Sequence, residues 1–307
     1  MKILVTGGAG FIGSHVVDAY IEKGHDVVVV DNLVTGQMEN VNPKAKFFKM
    51  NIGDSGLFKI FKEEKIDAVN HHAAQMDIRL SVKDPIYDAQ NNILGTINLL
   101  QASVQNGVKK FIFISSGGAI YGEQEYFPAD EEHPTRPLSP YGITKLAGEK
   151  YLYYYANEYK LPYTVFRYAN IYGPRQNPRG EAGVVAIFTT RLLKGEQPVI
   201  NGDGKQTRDY VYVGDVVDAN LRALEYGESD YFNIGTGIET DVNEIFGQLN
   251  AYTGGKAEDF HGPVKPGEQL RSLLNYEKAE KLLKWVPKVD LEQGLKETVA
   301  FFRENHS

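Results

Sequence analysis

A 307-residue chain that is 42% hydrophobic and 24% charged is long enough to bury a sizeable core and close enough to average soluble composition to exclude a disordered or fibrous design. Its 33 basic against 40 acidic residues leave a net charge of -7, which argues against a surface built for phosphate backbones, so no nucleic-acid partner is expected. With no cysteine there is no disulfide framework, thiolate metal site or Cys nucleophile; no run approaches the roughly 20 apolar residues of a membrane span, and the opening apolar stretch is too short for a secretion signal, so a cytoplasmic protein without a membrane partner is expected.

In chain order, short apolar runs recur at 3–5, 27–30, 68–69, 111–114 and 163–166, with helical spacing between them, as at 12–22 and 93–105. Strands apolar on both faces that alternate with helices predict an α/β fold with a doubly wound, Rossmann-type parallel sheet. The rhythm breaks between 170 and 210, where Pro174, Pro178 and Pro198 join Gly173, Gly180 and Gly183, and resumes at 211–220 and 231–234. A second irregular region follows, with Gly254, Gly255, Pro263 and Pro266. The pattern predicts two domains: one of residues 1–170 plus about 211–236, and a smaller α/β substrate domain of about 171–210 plus 237–307.

The first strand runs into Gly7, Gly10 and Gly13, spaced GxxGxxG, with a helix following. A pyrophosphate approaches backbone only where side chains are missing, and a helix start supplies free N–H donors and a positive dipole end. Glycines serving a tight turn alone would look the same in isolation. Asp31, 18 residues beyond Gly13 at the close of the second strand, tilts the reading, because a carboxylate there accepts from ribose hydroxyls and repels a 2'-phosphate. The cofactor expected is NAD rather than NADP.

Ser139 and Pro140 suit the cap and first turn of a helix, so Tyr141 and Lys145 share one helix face at i and i+4. A tyrosine with the usual pKa of about 10 needs about 4 kcal/mol of stabilisation to act as a phenolate near neutrality, and a close ammonium supplies part of it. Among 19 tyrosines a YxxxK pair is also compatible with plain packing. Ser115 and Ser116 end the strand at 111–114, and sites of open α/β sheets lie beyond the carboxyl ends of strands; a hydroxyl, a phenol and an ammonium would meet there.

These residues sit within longer strings: TGGAGFIGSH at 6–15, DNL at 31–33, HAA at 72–74, NN at 91–92, SSGGAIYGE at 115–123, SPYGITK at 139–145, RYANIYGPR at 167–175 and RDYVYVGD at 208–215. Over essentially its whole length the chain resembles the extended short-chain dehydrogenase/reductase superfamily, and within it the UDP-glucose 4-epimerases. The resemblance implies an NAD-dependent isomerase acting on a UDP-sugar through a transient 4-keto sugar, with Tyr141 as base and Lys145 lowering its pKa. It implies cofactor contacts at Gly7, Gly10, Phe11, Ile12, Gly13, Asp31 and Asn32, at Asn51 and Ile52, and at Ala73, Ala74, Asn92, Ser115 and Tyr168. On the substrate side it implies Ser116, Gly117, Asn170, Val184, Arg208, Arg271 and Ser272, with Arg208 on the diphosphate. For Arg208, a surface ion pair with Asp203, Asp209 or Asp215 is the plain alternative.

Departures from the family pattern sharpen the expectations. Gly117 stands where the catalytic hydroxyl is usual, so either Ser116 or Ser115 is expected to reach from a shifted position, with Ser116 preferred, or a water or Tyr141 alone does the work. Asn51 replaces an acidic residue near the adenine. Gly118 and Ala119 stand where nucleotide-sugar 4,6-dehydratases hold an Asp-Glu pair, which disfavours dehydration. The string Pro174-Arg175-Gln176-Asn177-Pro178 lacks the extra arginine of glucuronate epimerases, although Arg179 follows, so UDP-glucuronate stays as the alternative substrate. Within Gly267-Glu268-Gln269-Leu270-Arg271-Ser272, the small Ser272 is expected to leave room for a 2-acetamido group. His71, His72 and His133 are not spaced as metal ligands, and His72 is expected near the cofactor. The tyrosines at 151–155 continue the Tyr141 helix as core or as a homodimer face. A non-catalytic dinucleotide-binding protein is the rival from another class.

Overall fold

In a computed structural model describing residues 1–178, 183–264 and 269–305, the apolar runs become strands and the spacers between them helices. The first part holds β1 (Lys2–Thr6), α1 (Phe11–Glu22), β2 (Asp26–Asp31), β3 (Lys46–Lys49), α2 (Leu57–Glu64), β4 (Ala68–His71), α3 (Ile78–Lys83) and α4 (Pro85–Ala89). A π turn at Gln90–Leu94 leads into α5 (Gly95–Gln105), then β5 (Lys110–Ser116), α6 (Gly117–Ile120), α7 (Pro140–Tyr159) and β6 (Tyr163–Tyr168). The remainder holds β7 (Asn170–Tyr172), α8 (Val184–Leu193), β8 (Ile200–Asn201), β9 (Thr207–Tyr212), α9 (Val213–Glu225), β10 (Asp230–Ile234), β11 (Glu239–Asp241), α10 (Val242–Thr253), β12 (His261–Gly262), β13 (Arg271–Ser272) and α11 (Leu291–Asn305). Arg179, Gly180, Pro266, Gly267 and Glu268, all singled out in the sequence, lie outside the described residues.

The described residues form a seven-stranded parallel sheet in the order β10-β6-β5-β4-β1-β2-β3. Alternate side chains feed opposite layers: Ile3 and Val5 pack with Val16, Val17 and Tyr20 of α1, whereas Leu4 packs with Leu99, Leu100 and Phe61 on the other face. This is why the strands read as continuous apolar runs. Strand order reverses between β1 and β4, which opens a crevice at their carboxyl ends. β3, the sequence KFFK at the sheet edge, escaped the apolar-run reading because two phenylalanines between lysines make no run. The stretch 211–220 is not one element; it is the end of β9 and the start of α9.

β9 organises a second, smaller sheet, pairing with β7, β11 and β13, and β8 pairs with β12. Tyr172, Phe188, Ile245, Phe246, Leu249, Leu295 and Val299 form the core beside it, drawn from β7, α8, α10 and α11. α9 and β10 return to the large sheet, β10 lying beside β6. Among the described residues no helix is long and apolar enough to cross a membrane.

Candidate active site

The β1–α1 loop is fixed by close approach. Gly7 has φ +69°, and a Cβ there would meet Ala73 N at 2.7 Å; a Cβ on Gly13 would lie 2.3 Å from the Gly7 carbonyl. Gly10 N donates to Gly7 O at 3.0 Å, and α1 then starts with no side-chain cap on Gly10. By helix geometry the first-turn N–H groups of Phe11, Ile12 and Gly13 have no intrahelical acceptor, which suits an anion. Asp31, buried at the end of β2, accepts from Ala9 N at 3.0 Å and Leu33 N at 2.8 Å, one bond per oxygen, which leaves each oxygen a further lone pair for ribose hydroxyls. An uncapped helix start behind a side-chain-free loop, with a carboxylate 18 residues on, fits NAD.

The other cofactor-side residues divide by what their side chains already hold. Asn32 Oδ1 accepts from Val34 N at 3.0 Å and Asn51 Oδ1 from Gly53 N at 2.8 Å. Ile52 is buried against Gly95. Ala73 N donates to Thr6 Oγ1 at 3.2 Å, with Ala74 half-buried beside it. The Asn92 amide bonds Gln75, Asp88 and Thr144, so it braces the loop after β4. Tyr168 turns its hydroxyl to Asn220 Nδ2 at 2.7 Å on the α9 side of the sheet. His72 Nε2 is buried without a hydrogen-bond partner; burial and then the Lys145 charge hold that ring neutral, its pKa lowered to about 3. Burial, with the same charge, keeps His71 neutral too, and it bonds Thr6 and Thr96.

β5 delivers its two serines to different places. Ser115 donates to Glu149 Oε1 at 2.6 Å beneath α7, while Ser116 lies on the Tyr141 side, where its hydroxyl acts to lower the phenol pKa. Successive residues of a strand point to opposite sides, so only one of them reaches the phenol, and it is Ser116. At Gly117 a Cβ would lie 2.6 Å from Cδ1 of the buried Leu274, so a side chain there would require that leucine to shift. Ser139 caps α7, accepting from Gly142 N at 3.1 Å with Pro140 behind it, and a Cβ on Gly148 would lie 2.5 Å from the Phe113 ring, so α7 lies close against β5. Lys145 is buried, its Nζ donating to Ile114 O at 2.8 Å and lying 5.8 Å from the Tyr141 ring centre.

Electrostatics in this pocket run against an unaided phenolate. Burial, followed by the Asp88 charge, raises the Tyr141 pKa above its usual value, and the nearby Ser116 hydroxyl offsets part of this. Burial lowers Lys145 to about 8, while Asp88 and Glu149 pull it back up. Asp88 is a residue that the sequence analysis missed. A single aspartate inside a helical stretch carries no signal, and only the packing of α4 on α7 brings it beneath the catalytic helix.

Of the residues expected on the sugar side, Asn170, Arg208, Arg271 and Ser272 lie on strands of the second sheet and Val184 on α8. Ser272 of β13 is buried and pairs in register with Arg208 of β9; its hydroxyl would be 3.9 Å from a Cβ on Gly118, beside the turn that holds Ser116. Arg208 Nη1 donates to Thr207 O at 2.8 Å. Asp209 faces the other way, accepting from Thr236, Gly237 and Leu274. Asn170 opens β7, and Val184 is the half-buried first residue of α8. Arg271 instead places its fork on Glu239 in an exposed bidentate pair (2.8 and 2.7 Å), with Phe127 under the guanidinium.

The model of the NAD dependent epimerase/dehydratase family matches residues 3–235. A UDP-glucose 4-epimerase of Mycolicibacterium smegmatis is 44% identical over 309 residues, covering 99% of each chain. The crystal structure of a Thermotoga maritima UDP-glucose 4-epimerase with UDP-glucose superimposes with TM-score 0.98 at 53% identity and full coverage of both chains. That of a Thermus thermophilus UDP-glucose 4-epimerase in complex with NAD gives 0.93 at 44% identity, with 99% of each chain covered. With the glycine loop, the Ser116–Tyr141–Lys145 group and these likenesses together, the chain belongs to the NAD dependent epimerase/dehydratase family.

Proposed function

We propose that this chain is a 4-epimerase of UDP-hexoses, interconverting UDP-glucose and UDP-galactose and also accepting their 2-acetamido forms. The observation that carries the reading is the pair of Tyr141 and the buried Lys145 one turn apart on α7, the Lys145 Nζ 5.8 Å from the phenol ring centre, with Ser116 beside the phenol. Tyr141 takes the proton of the sugar 4-hydroxyl and later returns it, and Ser116 steadies the same oxygen. NAD held by the glycine loop and Asp31 would supply the hydride acceptor and donor for C4. Burial raises the phenol, so its ionisation needs the positive charges of Lys145 and the oxidised nicotinamide together. Arg208 holds the diphosphate, its planar fork meeting two oxygens at once, and Asn170 and Val184 border the nucleotide sugar. Gly118 and Ala119 supply no acid or base for dehydration.

The large sheet carries the cofactor in this reading, and the β9 sheet with α8, α10 and α11 carries the UDP-sugar. The chain works as a homodimer. Ile86, Leu94, Tyr151 and Tyr154 leave apolar surface exposed across α4, the π turn and α7, which pack side by side, and such a face suits a second copy of the same helices. Sedimentation showing only monomers at micromolar concentration removes this part of the proposal.

The main test is product analysis after separate incubation with UDP-glucose, UDP-N-acetylglucosamine and UDP-glucuronate, with no NAD added. The 4-epimers of the first two are expected. Turnover of UDP-glucuronate alone would transfer the reading to the acidic sugar, and turnover only with stoichiometric added NAD would make the chain a dehydrogenase.

A further inference from the structure

Two buried carboxylates flank Lys145, and they are compensated differently. Glu149, one turn further along α7, holds Arg167 in a two-point pair at 2.8 and 3.1 Å and also receives Ser115. Asp88, on the inward face of α4, is 0% exposed. Its partners are Gln75 Nε2 at 2.8 Å, Asn92 Nδ2 at 3.1 Å and Thr144 Oγ1 at 3.0 Å, all neutral. Neutral dipoles alone offset the lost hydration of a buried carboxylate poorly, so such a group calls for a nearby cation. The residue after Thr144 is Lys145, whose ammonium is buried and bonded to a backbone carbonyl.

The carboxylate is held rigidly. Asn92 Oδ1 accepts from Gln75 N at 2.8 Å, and Gln75 Nε2 also reaches Asp77 O at 3.0 Å, so the two amides that grip Asp88 brace each other. Thr144 ties it to the catalytic helix, its hydroxyl lying 2.9 Å from the Tyr141 carbonyl as well. We propose that Asp88 is a positioning residue of the epimerisation: through Thr144 and Lys145 it supplies the counter-charge that keeps Lys145 an ammonium and restrains the release of the Tyr141 proton. This rests on the epimerase reading above. The electrostatics agree in sign, since the Asp88 charge raises the proton affinity of both Lys145 and Tyr141.

Other groups around the pair have separate parts. Glu149 acts on Lys145 in the same direction as Asp88, and His71 and His72 at the end of β4 are neutral. On α3 and at the α3–α4 junction, Arg79, Lys83 and Asp84 are exposed, and the half-buried Asp77 caps α3.

The experiment compares the NAD-loaded wild type with Asp88→Asn, which keeps the size and most of the hydrogen bonds but removes the charge. Both limbs of the kcat pH profile are expected to move to lower pH by about one unit, with KM for UDP-glucose unchanged. A structural lesion would lower kcat at every pH and leave the limbs in place, and stationary limbs overturn the proposal. The Lys145 Nζ signal, followed by nitrogen-15 NMR and assigned with Lys145→Met, should titrate near pH 8 in the wild type and lower in Asp88→Asn. That titration needs no turnover: an inactive wild type counts against the epimerase reading, whereas an unmoved Lys145 titration counts against Asp88. If Asp88→Asn does not fold, Thr144→Val removes one donor from Asp88 and should shift the limbs in the same direction by less; no shift overturns the proposal.

Discussion

The loop after β1 takes the glycines expected at the cofactor, Gly7, Gly10 and Gly13, from one seven-residue stretch, whereas the wall expected around the sugar draws Ser116, Tyr141, Arg208 and Ser272 from β5, α7, β9 and β13. In the loop Gly10 and Gly13 make room for the Gly7 carbonyl a few residues away, and of these three Gly7 alone clears a distant segment, at Ala73. In the wall, space for one residue depends on another far away in sequence, as the buried Leu274 crowds Gly117. In the proposed reading, the clearances within the loop serve cofactor retention, and long-range register serves the chemistry. The two should be separable by mutation.

The largest effect expected is Tyr141→Phe, which should lower kcat by about 10²–10⁴-fold while the purified protein keeps its NAD. Loss of the cofactor in that variant would break the separation of loop from wall. Gly13→Ala tests the other side: with 2.3 Å available, the loop must open, costing about 1–3 kcal/mol in a thermal melt and releasing NAD. Ser116→Ala should reduce kcat by about 10–100-fold, the worth of one hydrogen bond to a developing charge. If Ser115→Ala proves the more damaging of the two in kcat at equal stability, the assignment of the shifted hydroxyl is wrong. The smallest and most selective effect is Ser272→Tyr. Turnover of the 2-acetamido sugar should fall by about tenfold or more relative to UDP-glucose, and equal loss on both substrates would remove Ser272 from the wall.

Much of the pH response should come from one lysine. Burial lowers Lys145 to about 8, so its ammonium is lost as pH rises through that value, and the alkaline side of the kcat profile is expected there. The sign for stability is the reverse. An ordinary lysine holds its proton to about 10.4, so the unfolded chain binds more protons between about pH 8 and 10.4 and this residue's contribution to stability rises with pH across that window.

Legibility in the sequence followed the range of the interaction. The parallel sheet was readable from its apolar runs, and the capped start of α7 from Ser139 and Pro140, because both are written in neighbouring residues. β3 was not, since its edge position needs few apolar side chains. Ser115 and Ser116 are chemically identical, and only the strand's alternation assigned one to Glu149 and the other to the phenol. The protein partners of Asn92, Tyr168 and Arg271, which are Asp88, Asn220 and Glu239, were not legible either, since no spacing rule connects them.

The sequence by itself determined the alternation of strand and helix, the spacing of the glycines after β1, and the i, i+4 placement of Tyr141 and Lys145, since each is written within a few neighbouring residues. The tertiary structure alone decided which serine lies beside the phenol, that Leu274 crowds residue 117, and that Asp88 lies under the catalytic helix. Those outcomes depend on how α4, β5 and the segment after β13 pack together, and packing between elements far apart along the chain leaves no periodic mark in the order of residues.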